Sequence, residues 1–104
     1  MSKSLGYYVE TPATRELERK YGTCLQNLTL AEKMLVASIL ANVLLEYQTN
    51  PGEDYTIETE IDERLDLDIS EHLQESLIAL DGCTAPQVAA LNLALSSYIS
   101  DEVR

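Results

Sequence analysis

Residues 29–48 have the sequence TLAEKMLVASILANVLLEYQ, which is the stretch that decides the fold. Thr29 and Glu32 form the capping-box pattern, in which two side chains satisfy backbone N–H groups at a helix start. The apolar residues that follow have helical spacing, so the stretch predicts a helix that extends to about Gln48. A helix that is apolar nearly all round lies at the centre of its domain or is shared with a second subunit. The turn sequence Asn50-Pro51-Gly52 ends it.

A second helix start lies upstream at Thr11-Pro12, because threonine is a favoured N-cap and proline a favoured first helical residue. Apolar residues continue at helical spacing from Leu17 to Leu28 and predict a helix that runs to about Gln26. Gly22 interrupts this stripe, and a glycine inside a helix costs about 1 kcal/mol relative to alanine. A helix that ends at Gly22 is therefore the alternative.

The second half of the chain carries two further capping-box patterns. Asp68-Ile69-Ser70-Glu71 starts a helix that extends to about Leu80, and Gly82 follows as a C-terminal cap. Thr84-Ala85-Pro86-Gln87 starts a last helix that extends to about Ser100.

The segment before these boxes has two interpretations. Ile57, Ile61 and Leu65 are four residues apart, which favours a short acidic helix over residues 57–66. Apolar residues also alternate with polar ones in parts of residues 54–69, so an extended segment is the alternative.

These elements predict an all-α fold, a small helical bundle of four to five helices. Residues 1–10 are expected to form an N-terminal arm and residues 11–104 a single helical domain. The helices over about 30–48 and 85–100 are too apolar for the rim of a small monomer. They predict a central apolar hairpin, and a homodimer interface that hides the excess apolar surface.

The net charge of −11 is distributed unevenly. Residues 1–50 hold 5 acids and 5 bases, whereas residues 51–104 hold 13 acids and 2 bases. A net negative charge of this size argues against direct binding to nucleic acid or to an anionic membrane, since both need a basic surface on the protein. The acids are densest from Glu53 to Glu75.

We interpret this acidic segment as a docking surface for a protein partner with a basic surface. The alternative is a solvated face that keeps a leucine-rich protein in solution. Clustered like charges repel one another, which favours a functional role. The predicted partner-binding residues of the segment are Glu58, Glu60, Asp62, Glu63 and Asp66.

The N-terminal arm is a second candidate surface. Tyr7-Tyr8-Val9 has the composition of a short extended segment. It is expected either to pack on its own bundle or to contact a dimer mate or a partner through Tyr7 and Tyr8.

The motifs of common enzyme classes are missing. His72 is the single histidine, and no nucleophile motif accompanies it. With Asp68 and Glu75 on the same helix face, it gives at most a mild pH response or a weak metal site. The four glycines are isolated, so no phosphate-binding loop is present and no cofactor is expected.

Two further patterns are weak. Residues 66–70 resemble the start of a calcium loop, but Glu71 and Leu77 stand where such a loop has glycine and glutamate. Cys24 and Cys83 are too few for a disulfide framework and are expected to be packing residues, with a mutual disulfide or a reactive thiol as the alternatives.

We therefore expect a non-catalytic, acidic interaction module: an adaptor, an assembly factor or a small regulator. A cytoplasmic location is expected, because the first residues lack an apolar leader and cysteine is sparse. The alternatives are a nucleic-acid mimic that inhibits a nucleic-acid-binding protein, and a weak calcium-binding protein.

Overall fold

A computed structural model describes residues 3–52, 54–64 and 69–103, and these ranges are helical without any strand. The all-α prediction is therefore confirmed for the described part of the chain. A 3₁₀ helix, Ala79–Gly82, follows the fifth α-helix directly. The α-helices are α1 Leu5–Tyr8, α2 Pro12–Tyr21, α3 Leu30–Thr49, α4 Ile57–Glu63, α5 Glu71–Ile78 and α6 Ala85–Glu102.

The capping residues explain where the two long helices begin. At the start of α3 the Thr29 backbone N–H donates to Glu32 Oε1 at 2.8 Å, and the Glu32 N–H donates to Thr29 Oγ1 at 3.1 Å. Thr84 and Gln87 form the same reciprocal pair at the start of α6. Both predicted capping boxes are confirmed.

Helix α5 begins later than its sequence pattern predicts. Ser70 is the N-cap, and its hydroxyl accepts the backbone N–H of Leu73 at 3.2 Å. The predicted cap residue, Asp68, lies outside the described residues. The short acidic helix is present as α4 with its predicted start, but it ends at Glu63 with Arg64 as its C-cap, before the predicted end at residue 66.

Helix α2 ends at Gly22, so the longer helix predicted to Gln26 is wrong and the alternative is right. Gly22 has φ +98° and ψ 159°, a backbone conformation that is essentially restricted to glycine. Leu25 follows with φ +53° and is fully buried. The apolar stripe beyond Gly22 thus comes from a loop whose leucines enter the core.

The N-terminal residues differ from the extended segment that their sequence predicts. Residues 5–8 form one helical turn, α1, and Leu5 is completely buried. The Leu5 backbone N–H donates to the Thr23 carbonyl at 2.7 Å, and the Tyr98 hydroxyl donates to the Lys3 carbonyl at 2.8 Å. Residues 3–9 therefore contribute to the same core as the rest of the described chain.

Helices α3 and α6 make the most extensive contact between two elements. They are antiparallel, since Lys33 near the start of α3 contacts Glu102 at the end of α6. The apolar residues that α3 and α6 bury are Val36, Ile39, Leu40, Val43, Val88, Leu91, Ala94, Leu95 and Tyr98.

Within the described ranges, no helix combines the length and the apolar character needed to cross a bilayer.

Lys33 is a buried cation within the largely apolar helix α3, and its burial was not predicted from the sequence. Its side chain is 2% exposed, and its Nζ lies 2.7 Å from Glu102 Oε1, whose side chain is 40% exposed. The four-carbon stem packs with the core while the ammonium reaches the carboxylate.

We expect Glu102→Gln to lower the free energy of unfolding by about 1 kcal/mol, because it leaves the buried ammonium without this counter-charge. Lys33→Met keeps the apolar stem and removes the charge, so its effect should stay within about 1 kcal/mol. Urea unfolding of the two variants measures both values. A silent Glu102→Gln combined with a strongly destabilising Lys33→Met would contradict this assignment.

Candidate partner-binding surface

Helices α4 and α5 are in contact and present exposed carboxylates. Glu58 and Asp62 stand four residues apart on α4, and Glu71 and Glu75 stand four apart on α5. All four are exposed, as is Glu63 at the end of α4. We call this set the acidic surface: Glu58, Asp62, Glu63, Glu71 and Glu75.

The basic residues of the described chain contact groups other than the carboxylates of the acidic surface. Arg15 pairs with Glu10, and Arg19 pairs with Glu16, on or beside α2. Lys33 and Arg64 pair with Glu102 and Glu60. Lys20 donates to the Ser76 hydroxyl at 3.2 Å, and Lys3 lies over the Tyr7 ring. Within residues 3–52, 54–64 and 69–103, no ion pair includes a member of the acidic surface.

Glu60 does not belong to this surface, which corrects the expectation from the sequence. It is 6% exposed and lies between α4 and α3. Asn42 Nδ2 donates to Glu60 Oε2 at 3.1 Å, and the Arg64 guanidinium donates to the same oxygen. The Tyr55 hydroxyl lies 2.6 Å from Glu60 Oε1. The carboxylate thus joins α4 to α3.

The environment of Glu60 favours its ionised form. Burial alone raises its pKa, but the hydrogen bonds from Tyr55, Asn42 and Arg64, with the charge of Arg64, hold the pKa below its ordinary value. The Tyr55 hydroxyl also lies 3.1 Å from Glu63 Oε2, so its single proton has two carboxylate acceptors. Burial and these two acceptors raise the pKa of Tyr55.

Asp81 fixes the position of α4 from a distant point in the sequence. Its Oδ1 accepts the backbone N–H of Ile57 at 2.7 Å, and its Oδ2 accepts that of Glu58 at 3.3 Å. A carboxylate at a helix start satisfies free N–H groups and complements the helix dipole. No local signal in the sequence indicates this role. Gly82, predicted to be a C-terminal cap, is instead the last residue of the 3₁₀ helix, and Cys83 is the C-cap.

The two arm tyrosines have different environments. Tyr7 is 66% exposed. Tyr8 is half-buried, and its ring meets the Tyr98 ring edge-on at a centroid distance of 6.3 Å. Helix α1 packs on α2 and α6. Tyr8 thus packs against Tyr98 of α6, and both arm tyrosines lie on a different element from the acidic surface.

The remaining sequence candidates give no metal or catalytic site within the described residues. Asp66 and Asp68 lie outside the described ranges. His72 is exposed on α5 beside the acidic surface. No three His, Cys, Asp or Glu side chains converge to hold a metal ion in the described part of the chain. Cys24 and Cys83 are free thiols, each half-buried.

One surface groove lies between the starts of α2 and α6, with a volume of about 350 Å³. Cys83 lines it and lies 3.5 Å from Thr11 Oγ1, and Glu10 lies at its edge. A cysteine nucleophile needs an adjacent base to form its thiolate, and no histidine or lysine is among the lining residues that are described. The groove therefore does not assemble a nucleophile with its base.

No family model matches the sequence, and neither a curated protein nor a solved structure matches the chain. Function is therefore inferred from the surface chemistry of this chain. The acidic surface groups five exposed carboxylates on two contacting helices, and none of them forms an ion pair with a base among the described residues.

Proposed function

We propose that this protein is a non-catalytic interaction module that binds a basic protein partner through the acidic surface. The observation that carries the proposal is a set of exposed carboxylates on two contacting helices, with no ion pair to a base in the described chain. In this proposal the protein acts in the cytoplasm as an adaptor, an assembly factor or a small regulator. It does not bind nucleic acid directly.

The arrangement of the carboxylates supports this role. Like charges four residues apart on a helix destabilise it by about 0.2–0.5 kcal/mol per pair. The acidic surface contains two such pairs, Glu58 with Asp62 and Glu71 with Glu75. A partner that presents lysine or arginine relieves this repulsion on binding. Complementary charge also accelerates the encounter, so we expect the surface to act mainly on the association rate.

The proposed contact uses only those predicted residues that are exposed among the described ones. Glu58, Asp62 and Glu63 remain in the proposed contact, whereas Glu60 is excluded because it is buried. Exposed carboxylates of α5, Glu71 and Glu75, extend the surface beyond the residues named from the sequence. Tyr7 remains a separate candidate contact on α1.

The test compares two variants of equal net charge by affinity capture from native lysate of the source organism. Glu58→Lys/Asp62→Lys reverses the acidic surface, and Glu10→Lys/Glu16→Lys reverses two exposed acids at α2. We expect the first variant to weaken capture of a salt-sensitive partner at least about 10-fold and the second less than about 3-fold. Washes stepped from about 50 to about 500 mM salt identify the charge-steered partner.

Two results would overturn the proposal. One is a lysate in which nothing salt-sensitive binds the wild-type chain, and the other is an equal loss in both variants. If the captured protein is displaced by double-stranded DNA, the module acts as a nucleic-acid mimic on that partner. Circular dichroism on each variant verifies that the helices remain folded.

A further inference from the structure

Helix α3 up to Gln48 and helix α6 up to Ser100 each present an outward stripe of exposed residues without a charge, whereas Asp101 and Glu102 at the end of α6 are exposed acids. Up to Gln48 in α3 and Ser100 in α6, the exposed positions recur at alternating spacings of three and four, which places them in one stripe on each helix. More than a fifth of the chain is charged, yet these stripes carry only small, apolar or uncharged polar side chains. We call the two stripes the charge-free face: Ala31, Met34, Ser38, Ala41, Leu45 and Gln48 on α3, and Pro86, Ala89, Leu93, Ser96 and Ser100 on α6.

The large apolar members of this face are unusually accessible. Met34 is 47% exposed, Leu45 58% and Leu93 62%. Both helices contribute buried side chains to the core, and they make the most extensive contact between two elements of the described chain. A charged side chain, that of Arg64, contacts this face: its guanidinium donates to the Ser38 hydroxyl at 3.1 Å. The exposed helices α2, α4 and α5, in contrast, present acids or bases outward.

We propose that the charge-free face binds a second copy of this chain in a two-fold symmetric dimer. In such a dimer the same residues meet their counterparts, so the face must be complementary to itself. A face without charges meets this condition, since no residue is brought against a like charge. The inference is independent of the basic partner proposed above.

Charge selects a second copy over other occupants. Two chains of net charge −11 repel each other through most of their surfaces, and the acidic surface makes approach through α4 and α5 unfavourable. A basic partner, for its part, finds no carboxylate to engage on the charge-free face.

The available area agrees with a dimer of moderate affinity. Residues 31–48 of α3 extend about 26 Å at 1.5 Å per residue, and two packed helices are about 20 Å wide. The face therefore buries about 500 Å² on each copy, or about 1,000 Å² in total, which is at the lower limit for a specific interface. An interface of this size without strong anchors predicts a dissociation constant in the micromolar range.

Sedimentation equilibrium of the full chain from about 1 to about 500 µM tests the dimer, since this range brackets the expected dissociation constant. We expect Leu45→Glu/Leu93→Glu to raise the dissociation constant at least about 100-fold, because each substitution acts twice in a symmetric interface. The matched control, His72→Glu/Ala79→Glu, adds the same charge at exposed positions on α5 and the 3₁₀ helix, and should change it less than about 3-fold.

Salt separates this interface from an electrostatic one. Raising salt from about 50 to about 500 mM should leave the dimer unchanged or tighten it, because screening reduces the repulsion between two acidic chains. A chain that remains monomeric throughout the concentration range overturns the proposal. So does a dimer that survives Leu45→Glu/Leu93→Glu, or one that dissociates as salt rises. Thermal unfolding by circular dichroism verifies that the variants are folded.

Discussion

Glu60→Ala is expected to lower the free energy of unfolding by about 3 kcal/mol, because it removes a buried carboxylate that holds three donors. Tyr55, Asn42 and Arg64 each direct a hydrogen bond to this carboxylate. Without it, the Arg64 side chain, which is 21% exposed in the fold, loses its ion pair. The attachment of α4 to α3 weakens as a result, and with it the platform that carries Glu58 and Asp62.

Glu63→Ala is the matched control. Both carboxylates lie within hydrogen-bond distance of the same Tyr55 hydroxyl, but Glu63 is exposed. Its replacement should change the free energy of unfolding by less than about 0.5 kcal/mol. Urea unfolding at pH 7 compares the two variants. Equal effects would show that burial of Glu60 does not determine its contribution.

The pH dependence of stability should change in the same variant series. The pKa of Glu60 is lower in the fold than its ordinary value of 4.5. Its ionised form is therefore favoured by folding, so its stabilisation is complete above about pH 4.5 and declines as the pH falls toward the lowered pKa. Glu60→Gln lacks this titration, and its stability should fall less steeply than that of the wild type between about pH 5 and pH 3.

Gly22→Ala is expected to lower the free energy of unfolding by about 2–3 kcal/mol, because alanine strongly resists the backbone conformation of Gly22. The backbone angles of Gly22, φ +98° and ψ 159°, are strained for a residue with a side chain. A Cβ at this position would also overlap the Gln26 side chain, whose Oε1 accepts the Cys24 N–H. The substitution therefore disturbs the loop that places Leu25 in the core.

Gly52→Ala provides the comparison. A Cβ added to Gly52 would have no neighbouring atom within 4 Å, and the φ of this residue is not in the left-handed region. Its replacement should be neutral or slightly stabilising, by up to about 1 kcal/mol, through a less flexible unfolded chain. Thermal melts of both variants measure the difference. A tolerated Gly22→Ala would mean that the end of α2 relaxes into another conformation at little cost.

Local signals in the sequence determined the helical class and most helix starts. Thr29 with Glu32 and Thr84 with Gln87 cap their helices as predicted, because a capping box is formed by residues only three positions apart. The apolar character of the two long helices likewise followed from composition alone. For α2 the apolar spacing favoured the longer helix to about Gln26, and the backbone conformation of Gly22 shows that the shorter alternative is right.

Tertiary structure decided which acids are available to a partner. Glu60 and Glu63 have the same chemistry and lie in the same short helix, yet one is buried against Asn42 and the other is exposed. The spacing of Glu60 to Arg64 and its position beside Ile57 and Ile61 were the available signals, but they do not show which face of α4 meets α3. That face is set by long-range packing and by the contact of Asp81 with the start of α4, which join residues far apart in the chain. Burial is a property of the assembled bundle, so residue type and spacing indicate where charge is dense, and only the packing of helices determines which charges reach the surface.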